Sequence, residues 1–419
     1  IMNKSLYIVA FSLAFATTGI AQNNEGQDKT VDLGTQTTTE LRKTQAVSTI
    51  YSDELDKNAT TSPYNAIYGL LPGLTVMQNT SWGTDKSRLN VRGRGSLNGD
   101  TPLFVVDGFA RPIEYINLSE IESISVLKDG AATALWGGRG ANGVVLITTK
   151  RGMYSKKEIK VDYKFGLGLP VNQPEFADAY TYAKARNEAL RYDGLQPDMD
   201  EASFLAGGNS DLYPNVDWQK EALRNHTTSH QLDITFRGGG KRLRYFSVLN
   251  YKNDMGLLNS KYTDYTDRYN SQMKKYFLNL RMNLDVDITD ATKLKLNMLG
   301  MLRETKRPTT SEATLFEQIF NTPSAAFPVQ TQNGLWGSNN VLKTNPIANL
   351  ADVGYYKLNQ RMLQADLRLI QDLSVLTRGL SAELAIAYDN NATYQETAKK
   401  SFMYQTIEKG TDGEPVYTN

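Results

Sequence analysis

In residues 277–288, FLNLRMNLDVDI, apolar and polar side chains alternate without a fault from Leu278 onward, and this alternation constrains the fold more than any other feature of the chain. Successive side chains of a β-strand point to opposite faces of a sheet, so one face of this strand is aliphatic and the other carries amides and charges. The same pattern returns at residues 231–236, 293–299, 364–369 and 380–388. These segments predict antiparallel strands whose two faces differ in chemistry.

The connections between these strands alternate in length. Tight links are predicted at residues 238–240 and 289–291, whereas residues 169–228, 254–274 and 304–359 form long connections. Short turns on one side and long loops on the other are typical of an outer-membrane β-barrel, whose polar side chains face the lumen and whose aliphatic side chains face lipid. A soluble antiparallel sandwich with one wet face is the alternative for any single strand.

About eight strands are predicted in residues 153–419, and a closed barrel of about that number is filled by its own side chains. Such a barrel has no room for a separate domain, and an open sheet edge is not tolerated within lipid. We therefore expect residues 153–419 to be the front part of a larger barrel. Aromatic residues near the strand ends are expected to form the girdle at the membrane surface. They are Tyr251, Tyr276, Phe277 and Tyr388.

The first residues have the composition of an export signal. A short basic stretch at residues 2–4 is followed by an apolar run at residues 6–16, and small residues occupy positions 19–21. The run is too short to span a bilayer, so residues 1–21 are predicted to be a signal peptide. Residues 22–43 are rich in Gln, Asn, Thr and Asp, and they are predicted to be a flexible periplasmic tether.

The composition excludes several classes of site. The chain has no cysteine and 2 histidines, which argues against disulfides, thiol nucleophiles and Cys/His zinc sites. Its 46 Lys and Arg residues are balanced by 45 Asp and Glu residues, so no overall field attracts nucleic acid. No nucleophile, base and orienting group recur together. We therefore expect neither an enzyme, nor a metal, nor a cofactor.

Residues 44–152 consist of short apolar runs divided by Gly, Pro and Asn, which predicts a compact α+β unit. The segment GGRGANG at residues 137–143 suggests a phosphate loop. No Lys-Ser/Thr pair follows these glycines, however, and the next element is a predicted strand at residues 144–149. Tight turns in a closely packed unit are the better interpretation.

Four motifs of this unit occur together in a known family. They are GLLPGLTV (69–76), LNVRGRGSL (89–97), PLFVVDGF (102–109) and LSEIESISVLKDGAATALWGGRGANGVVLITTKRG (118–152). They resemble the plug domain of SusC/RagA-type TonB-dependent transporters of Bacteroidota outer membranes. The resemblance implies a mainly β fold, with an α+β plug inside a transmembrane antiparallel β-barrel of about 22 strands, of which about the first eight are present here. Two departures are the lack of room for a small β-sandwich before the plug, and Leu135-Trp136 where Ile-Tyr is usual.

The resemblance implies TonB-dependent active import of an oligomeric nutrient, with oligosaccharide favoured, across the outer membrane. A SusD-like surface lipoprotein is expected to close the barrel as a lid, and TonB with ExbB/ExbD is expected to supply the energy. Outer-membrane lipid is a further expected partner, and nucleic acid is not. Import of peptides as by RagA, uptake of siderophores or cobalamin, and a surface adhesin or sensory receptor on the same scaffold are the alternatives.

Three groups of site residues are predicted: the resemblance implies the first, the cost of burying charges suggests the second, and the polar loop at residues 79–85 suggests the third. The Ton box, which pairs with TonB by strand addition, is predicted at Thr30, Val31, Asp32, Leu33 and Gly34. A plug charge network is predicted around two turns, with arginines paired to carboxylates; its members are Arg92, Arg94, Asp107, Gly108, Glu122, Lys128, Asp129 and Arg139. Sugar contact is predicted for Asn79, Trp82 and Asp85. The alternatives are a plain linker, solvated surface charges and a tryptophan packed against the barrel wall.

Overall fold

The protein is described here by a computed structural model that covers most of the chain. The described residues are 8–13, 30–34, 37–39, 43–57, 60, 62–78, 87–97, 99–154, 157–171, 173–264 and 269–419. Within them a small mixed sheet, the plug, lies against a curved antiparallel sheet, the wall. Long connections at one end of the wall form a third layer.

Three short strands precede the plug: β1 (Ile8–Leu13), β2 (Thr30–Asp32) and β3 (Thr37–Thr39). β2 and β3 pair as an antiparallel hairpin. β1 contains part of the run predicted to belong to a signal peptide, and it pairs antiparallel with Glu158–Gly168, the first strand of the wall. This pairing gives the edge of that strand backbone partners. The assignment of residues 1–21 to a signal peptide stays a prediction.

The plug is built on a sheet with the order β4-β9-β10-β7-β8, and β5 and β6 form a separate hairpin. Its strands are β4 (Val47–Tyr51), β5 (Leu74–Met77), β6 (Arg88–Val91), β7 (Leu103–Val106), β8 (Phe109–Ala110), β9 (Ile121–Leu127) and β10 (Val144–Thr149). Its helices are α1 (Ser52–Leu55), α2 (Pro63–Ala66) and α3 (Gly130–Thr133), with 3₁₀ turns at Ile113–Tyr115, Leu118–Glu120 and Ala134–Gly140. The pairing is antiparallel except between β7 and β10.

The central strands β9 and β10 explain why the plug is compact. Both are rich in β-branched residues, and both are buried along nearly their whole length. A strand covered on both faces is expected to be apolar throughout rather than alternating. Ile124, Val126, Val145 and Ile147 consequently form the centre of the main core of the plug.

The wall contains seven long strands in the part of the chain that the structure describes. They are β11 (Glu158–Gly168), β12 (Thr227–Gly239), β13 (Leu243–Met255), β14 (Lys274–Asp287), β15 (Thr292–Pro308), β17 (Gly354–Asp372) and β18 (Ser381–Lys399). Each pairs antiparallel with the next, and β1 adds an eighth strand at the edge of β11. The mainly β fold, with an α+β plug and part of a barrel, is thereby confirmed.

The alternation that opened the sequence analysis is present in β14. Leu280 points outward and is 51% exposed, whereas Asn279, Arg281 and Asn283 face the plug and are buried. The sheet is therefore apolar outside and polar inside. One girdle prediction was wrong: Phe277 lies on the inner face, where it packs with Tyr115 of the plug, because the alternation places odd-numbered residues of β14 inward.

The predicted difference in connection length is confirmed. Short turns join β12 to β13 and β14 to β15, while long connections carry most of the remaining elements. These are α4 (Ala179–Tyr192), α5 (Glu201–Ala206), α6 (Trp218–Ala222), α7 (Ser260–Thr263), α8 (Glu312–Asn321), β16 (Trp336–Ser338), α9 (Pro346–Ala351), β19 (Tyr404–Lys409) and β20 (Pro415–Thr418). They share a core of their own, centred on Trp218, Phe327 and Trp336, and we call them the loop layer. Among the helices so described, none is both long enough and apolar enough to cross a membrane.

Candidate functional site: the seam between plug and wall

A buried ion pair joins the plug to the middle of the wall. Glu120 Oε2 lies 2.5 Å from Arg281 Nε, and the two side chains are 0% and 2% exposed. Asn279 Nδ2 and the backbone N–H of Asn117 donate to Glu120 Oε1 at 2.7 and 3.2 Å. Burial raises the pKa of the Glu120 carboxyl, and the charge of Arg281 opposes this rise. The pair thus fixes one point of the plug on β14.

The position of Glu120 follows from local sequence. The Asn117 side chain accepts a hydrogen bond from the Ser119 N–H, and the Glu120 carboxylate accepts one from the Asn117 N–H, so the two form a capping box around a 3₁₀ turn. The pattern NLSE at residues 117–120 is the local signal for such a box. It holds the carboxylate at the start of β9, where the chain faces the wall.

A second contact joins the hairpin β7–β8 to two other wall strands. Arg111 Nη1 lies 2.5 Å from Asp366 Oδ1 on β17, and Arg111 Nη2 lies 2.7 Å from Asp389 Oδ1 on β18. The guanidinium also lies over the Phe109 ring, 5.2 Å from its centroid. Burial alone would lower the pKa of Arg111, but the two carboxylates outweigh this effect and raise it. Arg111 therefore stays charged and clamps neighbouring strands together.

A third contact involves the turn at Asp107. Its carboxylate accepts hydrogen bonds from the Thr149 N–H and hydroxyl at 3.0 and 2.7 Å, which closes the turn against β10. Arg368 of β17 donates to the Asp107 carbonyl at 3.0 Å. Gly108 has a φ of +91°, and a Cβ there would lie 2.6 Å from Arg368 Nη2. The backbone conformation therefore favours glycine, and a Cβ here would displace the Arg368 guanidinium.

These contacts have a common chemistry. The wall contributes amides, carboxylates and guanidinium groups, and the plug contributes backbone carbonyls as well as side chains; Asn283 Nδ2, for example, donates to Thr149 Oγ1 and to the Lys150 carbonyl, both at 2.8 Å. We call this interface the seam. A smaller apolar contact of Tyr115 with Leu299, Met301 and Met362 accompanies it. Within the described residues no group of three His, Cys, Asp or Glu side chains is placed to hold a metal.

In the ranges of the chain described above, the structure shows no ion pair between the arginines and the carboxylates predicted for the plug charge network, although the charge of Arg92 contributes to the lowered pKa of Asp129. Arg94 pairs with Asp100 at 2.9 Å, and Asp100 also accepts from Arg88 at 2.8 Å. The Arg88 hydrogen bond is the main reason that the pKa of Asp100 is lowered. Arg92 and Arg139 are exposed. The prediction failed because sequence proximity to a turn does not reveal which carboxylate the fold brings near.

The carboxylates expected in that network serve backbone groups instead. Asp129 accepts hydrogen bonds from the N–H groups of Ala132 and Ala46 at 2.7 and 2.6 Å, so it caps α3 and ties it to the start of β4. These two bonds lower the pKa of Asp129. Lys128 donates to Ser48 Oγ and the Pro72 carbonyl at 2.5 and 2.9 Å. Glu122 lies half-buried on β9.

The segment predicted to be the Ton box is not a free tether where the structure describes it. Thr30 to Asp32 form β2, and Val31 and Leu33 are buried in a second plug core with Leu127, Val144 and Leu146. The Trp136 ring covers Gly34, so that a Cβ at Gly34 would lie 3.3 Å from the ring. The prediction of a flexible tether is corrected for these residues, because two apolar side chains suffice to dock them.

The third predicted group, Asn79, Trp82 and Asp85, lies outside the described residues. The sequence analysis missed Arg111 and Glu120 as site residues. Glu120 carries a local signal in its capping box, whereas nothing local marks Arg111. The alternation pattern in the sequence placed Arg281 on the inner face of its strand, but it predicted no partner for this arginine.

Comparison with known proteins agrees with this architecture. Residues 39–144 match the family described as TonB-dependent Receptor Plug Domain. The chain is 30% identical to TonB-dependent receptor SusC of Bacteroides thetaiotaomicron over 255 residues, 57% of this chain and 24% of that protein. It is 28% identical to TonB-dependent receptor P26 of Formosa agariphila over 281 residues, 65% of this chain and 26% of that protein.

Among solved structures, that of the RagAB peptide importer in the 'open-open' state has the same fold. Its TM-score is 0.71 at 20% identity, over 91% of this chain and 44% of that chain. Residues 39–144 therefore carry a plug domain of the TonB-dependent receptor type, and the longer sequence matches are to TonB-dependent receptors. Within that class the sequence is similar to that of SusC, and the RagAB structure shows that the chain has the same fold. It spans about a quarter of the length of the curated relatives it matches.

Proposed function

We propose that the chain is part of an importer that moves an oligomeric nutrient across the outer membrane when TonB pulls on the plug. The observation that carries the proposal is the seam, where the plug is held in the polar concave face of the wall by hydrogen bonds and ion pairs. Water can replace such bonds, so the plug can be displaced without exposing its apolar core. A plug attached through apolar contacts would lack this property.

The partners follow from the three surfaces of the molecule. The outward stripe of aliphatic side chains suits outer-membrane lipid. Residues 30–34, once released from the plug, suit strand addition to TonB, which ExbB/ExbD would energise. The loop layer suits a SusD-like surface lipoprotein acting as a lid. These assignments rest on the family and on the chemistry of each surface.

The substrate that we favour is an oligosaccharide. The 30% identity to SusC supports an oligosaccharide as the imported nutrient. Peptide import is the second candidate, favoured by the fold shared with the RagAB peptide importer at a TM-score of 0.71. The two candidates require the same plug movement and differ in what the loops and lumen bind.

The test uses the full-length gene product in its native membrane. The tagged receptor is purified from detergent-solubilised outer membrane, and co-purifying proteins are quantified by mass spectrometry. We expect a stoichiometric surface lipoprotein. A receptor that purifies alone would contradict the lidded importer and favour uptake of a small chelate without a lid.

A growth experiment separates import from binding. A deletion strain is complemented with the wild type, with Val31→Pro, or with the control Thr44→Pro, which lies at an exposed position. On oligosaccharide as sole carbon source, Val31→Pro should abolish growth because proline removes the N–H needed for strand addition, whereas Thr44→Pro should grow. Growth only on peptides would establish the second candidate, and growth of Val31→Pro on the imported nutrient would contradict the proposed Ton box.

A further inference from the structure

A cleft in the loop layer is separate from both the seam and the lumen. It lies between the connection that follows β11 and the connection that follows β15, and its volume is about 330 Å³. Its lining includes Phe176, Asp178, Asn215, Trp218, Ile319 and Ser324. All of its lining residues belong to these two connections, and none to the plug or to the wall strands. We call it the loop cleft; its volume is in the range of small-molecule sites.

Two aromatic side chains, Phe176 and Trp218, line the loop cleft. The Phe176 ring is 51% exposed and stacks on the Phe320 ring, with centroids 5.7 Å apart and planes at 23°. Trp218 is buried, and its Nε1–H donates to the Pro323 carbonyl at 3.0 Å. The Trp218 ring is further held edge-on by Phe327. The rings are thus fixed before any ligand arrives, which reduces the entropy cost of binding.

The charged groups that line the loop cleft are two carboxylates, Asp178 and Asp217, and one lysine, Lys220. Asp178 caps α4 by accepting from the Thr181 N–H at 2.8 Å, and this threonine lowers the pKa of the Asp178 carboxyl. Asp217 caps α6 and pairs with Lys220 at 2.8 Å. An ionised carboxylate offers about four acceptor positions, so capping leaves capacity for further donors. Ionised acceptors beside one lysine disfavour anionic ligands and favour hydroxyl donors.

From this juxtaposition we propose that the loop cleft is a binding subsite for a neutral oligosaccharide. The apolar face of a pyranose ring packs on the exposed Phe176 ring, and its hydroxyls donate to Asp178. The proposal rests on the proposed function, since it names a place where the imported nutrient is first held. Because the subsite is remote from the plug, it contributes affinity at the cell surface rather than movement through the barrel.

The test measures binding to the full-length receptor in detergent by calorimetry. The probes are short neutral oligosaccharides of glucose, mannose, xylose and galactose, together with a tryptic digest of casein. Phe176→Ala should weaken binding of the recognised oligosaccharide by about tenfold, since a lost ring contact is worth about one factor of ten. The matched control is Tyr192→Ala on the same connection, whose ring is 85% exposed outside the cleft. It should bind as the wild type does.

A second variant tests the carboxylate without removing the helix cap. Asp178→Asn keeps a side chain that caps helices as well as aspartate does, so its melting temperature should equal that of the wild type. It should weaken oligosaccharide binding by about tenfold, because the charge-assisted hydrogen bond is lost. Unchanged affinity of Phe176→Ala would overturn the proposal, as would failure of every oligosaccharide to bind the wild type. If Phe176→Ala weakened the binding of casein peptides but not that of any oligosaccharide, the assignment of a sugar as the ligand would be overturned. In each case the lipoprotein and growth experiments would still decide the proposed function separately.

Discussion

At the scale of single residues, the Glu120–Arg281 pair shows why the seam is specific. Both side chains are almost fully removed from water. In such a buried position, a charge without a partner is costly. Such a pair adds little net stability compared with a well-packed apolar pair, yet loss of one partner leaves the other charge buried alone. The pair therefore selects one position of the plug on the wall more than it stabilises the fold.

This predicts an asymmetric effect of substitution. Glu120→Gln should lower the free energy of opening at β9 by about 3 kcal/mol, because Arg281 then lacks its buried counter-charge. Amide hydrogen exchange of β9 in the full-length receptor measures this value. The control is Arg186→Gln, which breaks the half-exposed pair with Asp198 and should change stability by no more than about 1 kcal/mol. Equal effects of the two variants would contradict the role given to the buried pair.

Asp129 supports a prediction about pH. Its folded pKa is lowered from the ordinary value of 3.8 by the Ala132 and Ala46 N–H groups, so its stabilising effect is present above pH 3.8 and is lost as the pH falls through the lower, folded pKa. Asp129→Ala should cost about 1 kcal/mol at neutral pH and flatten the acid limb of the unfolding curve. Asp129→Asn, whose single amide oxygen can still accept the Ala132 N–H bond but not the Ala46 bond as well, should keep part of the stability. An unchanged acid limb in Asp129→Ala would contradict the assignment.

At the scale of elements, the β2–β3 hairpin changes the interpretation of the N-terminal region. Val31 and Leu33 share a core with β7, β9 and β10, so the predicted Ton box is stored on the plug. Its availability to TonB then depends on the free energy that holds these two side chains. Trp136 also stabilises the docked segment, because its ring lies against Gly34.

Weakening this core should expose the hairpin. The chain contains no cysteine, so Thr38→Cys provides a single labelling position on β3. Adding Leu33→Ala should raise the rate of maleimide labelling by roughly 30-fold, because removal of a buried leucine side chain costs on the order of 2 kcal/mol or more. The control is Leu97→Ala, a fully exposed leucine elsewhere in the plug, which should leave the rate unchanged. Rapid labelling of Thr38→Cys alone would show that the hairpin is not docked.

At the scale of the whole molecule, the wall separates two environments by side-chain alternation alone. The outer stripe of β14 is aliphatic and exposed at its centre, and the inner stripe binds the plug. The proposed membrane placement requires the outer stripe to meet lipid. A charge introduced there is penalised according to its depth.

Leu280→Arg, in the middle of β14, should lower the stability of the receptor folded in lipid vesicles by about 2 to 4 kcal/mol. Ile288→Arg follows the end of the same strand and should cost about 1 kcal/mol or less, because a terminal arginine reaches the interface. Urea titration of the refolded full-length receptor compares the two variants. Equal losses would contradict a lipid-facing stripe centred on Leu280.

The sequence predicted the wall better than the seam, for a physical reason. Alternation is a local property, so residues 277–288 alone define the strand and its inward face. Partners across the seam are not local: Glu120 and Arg281 are 161 residues apart, and the pattern gives no rule for pairing them. The docked hairpin was missed because composition averages over a polar segment, whereas Val31 and Leu33 alone provide its apolar contact.

The polar character of the seam has a thermal consequence. Exposure of apolar surface raises heat capacity and exposure of polar surface lowers it, so separating plug from wall changes heat capacity far less than unfolding the plug core does. The free energy of unfolding the core therefore curves strongly with temperature, while that of parting the seam stays nearly level. The work needed to open the passage would then be similar in a cold and in a warm environment, even where the stability of the plug itself is not.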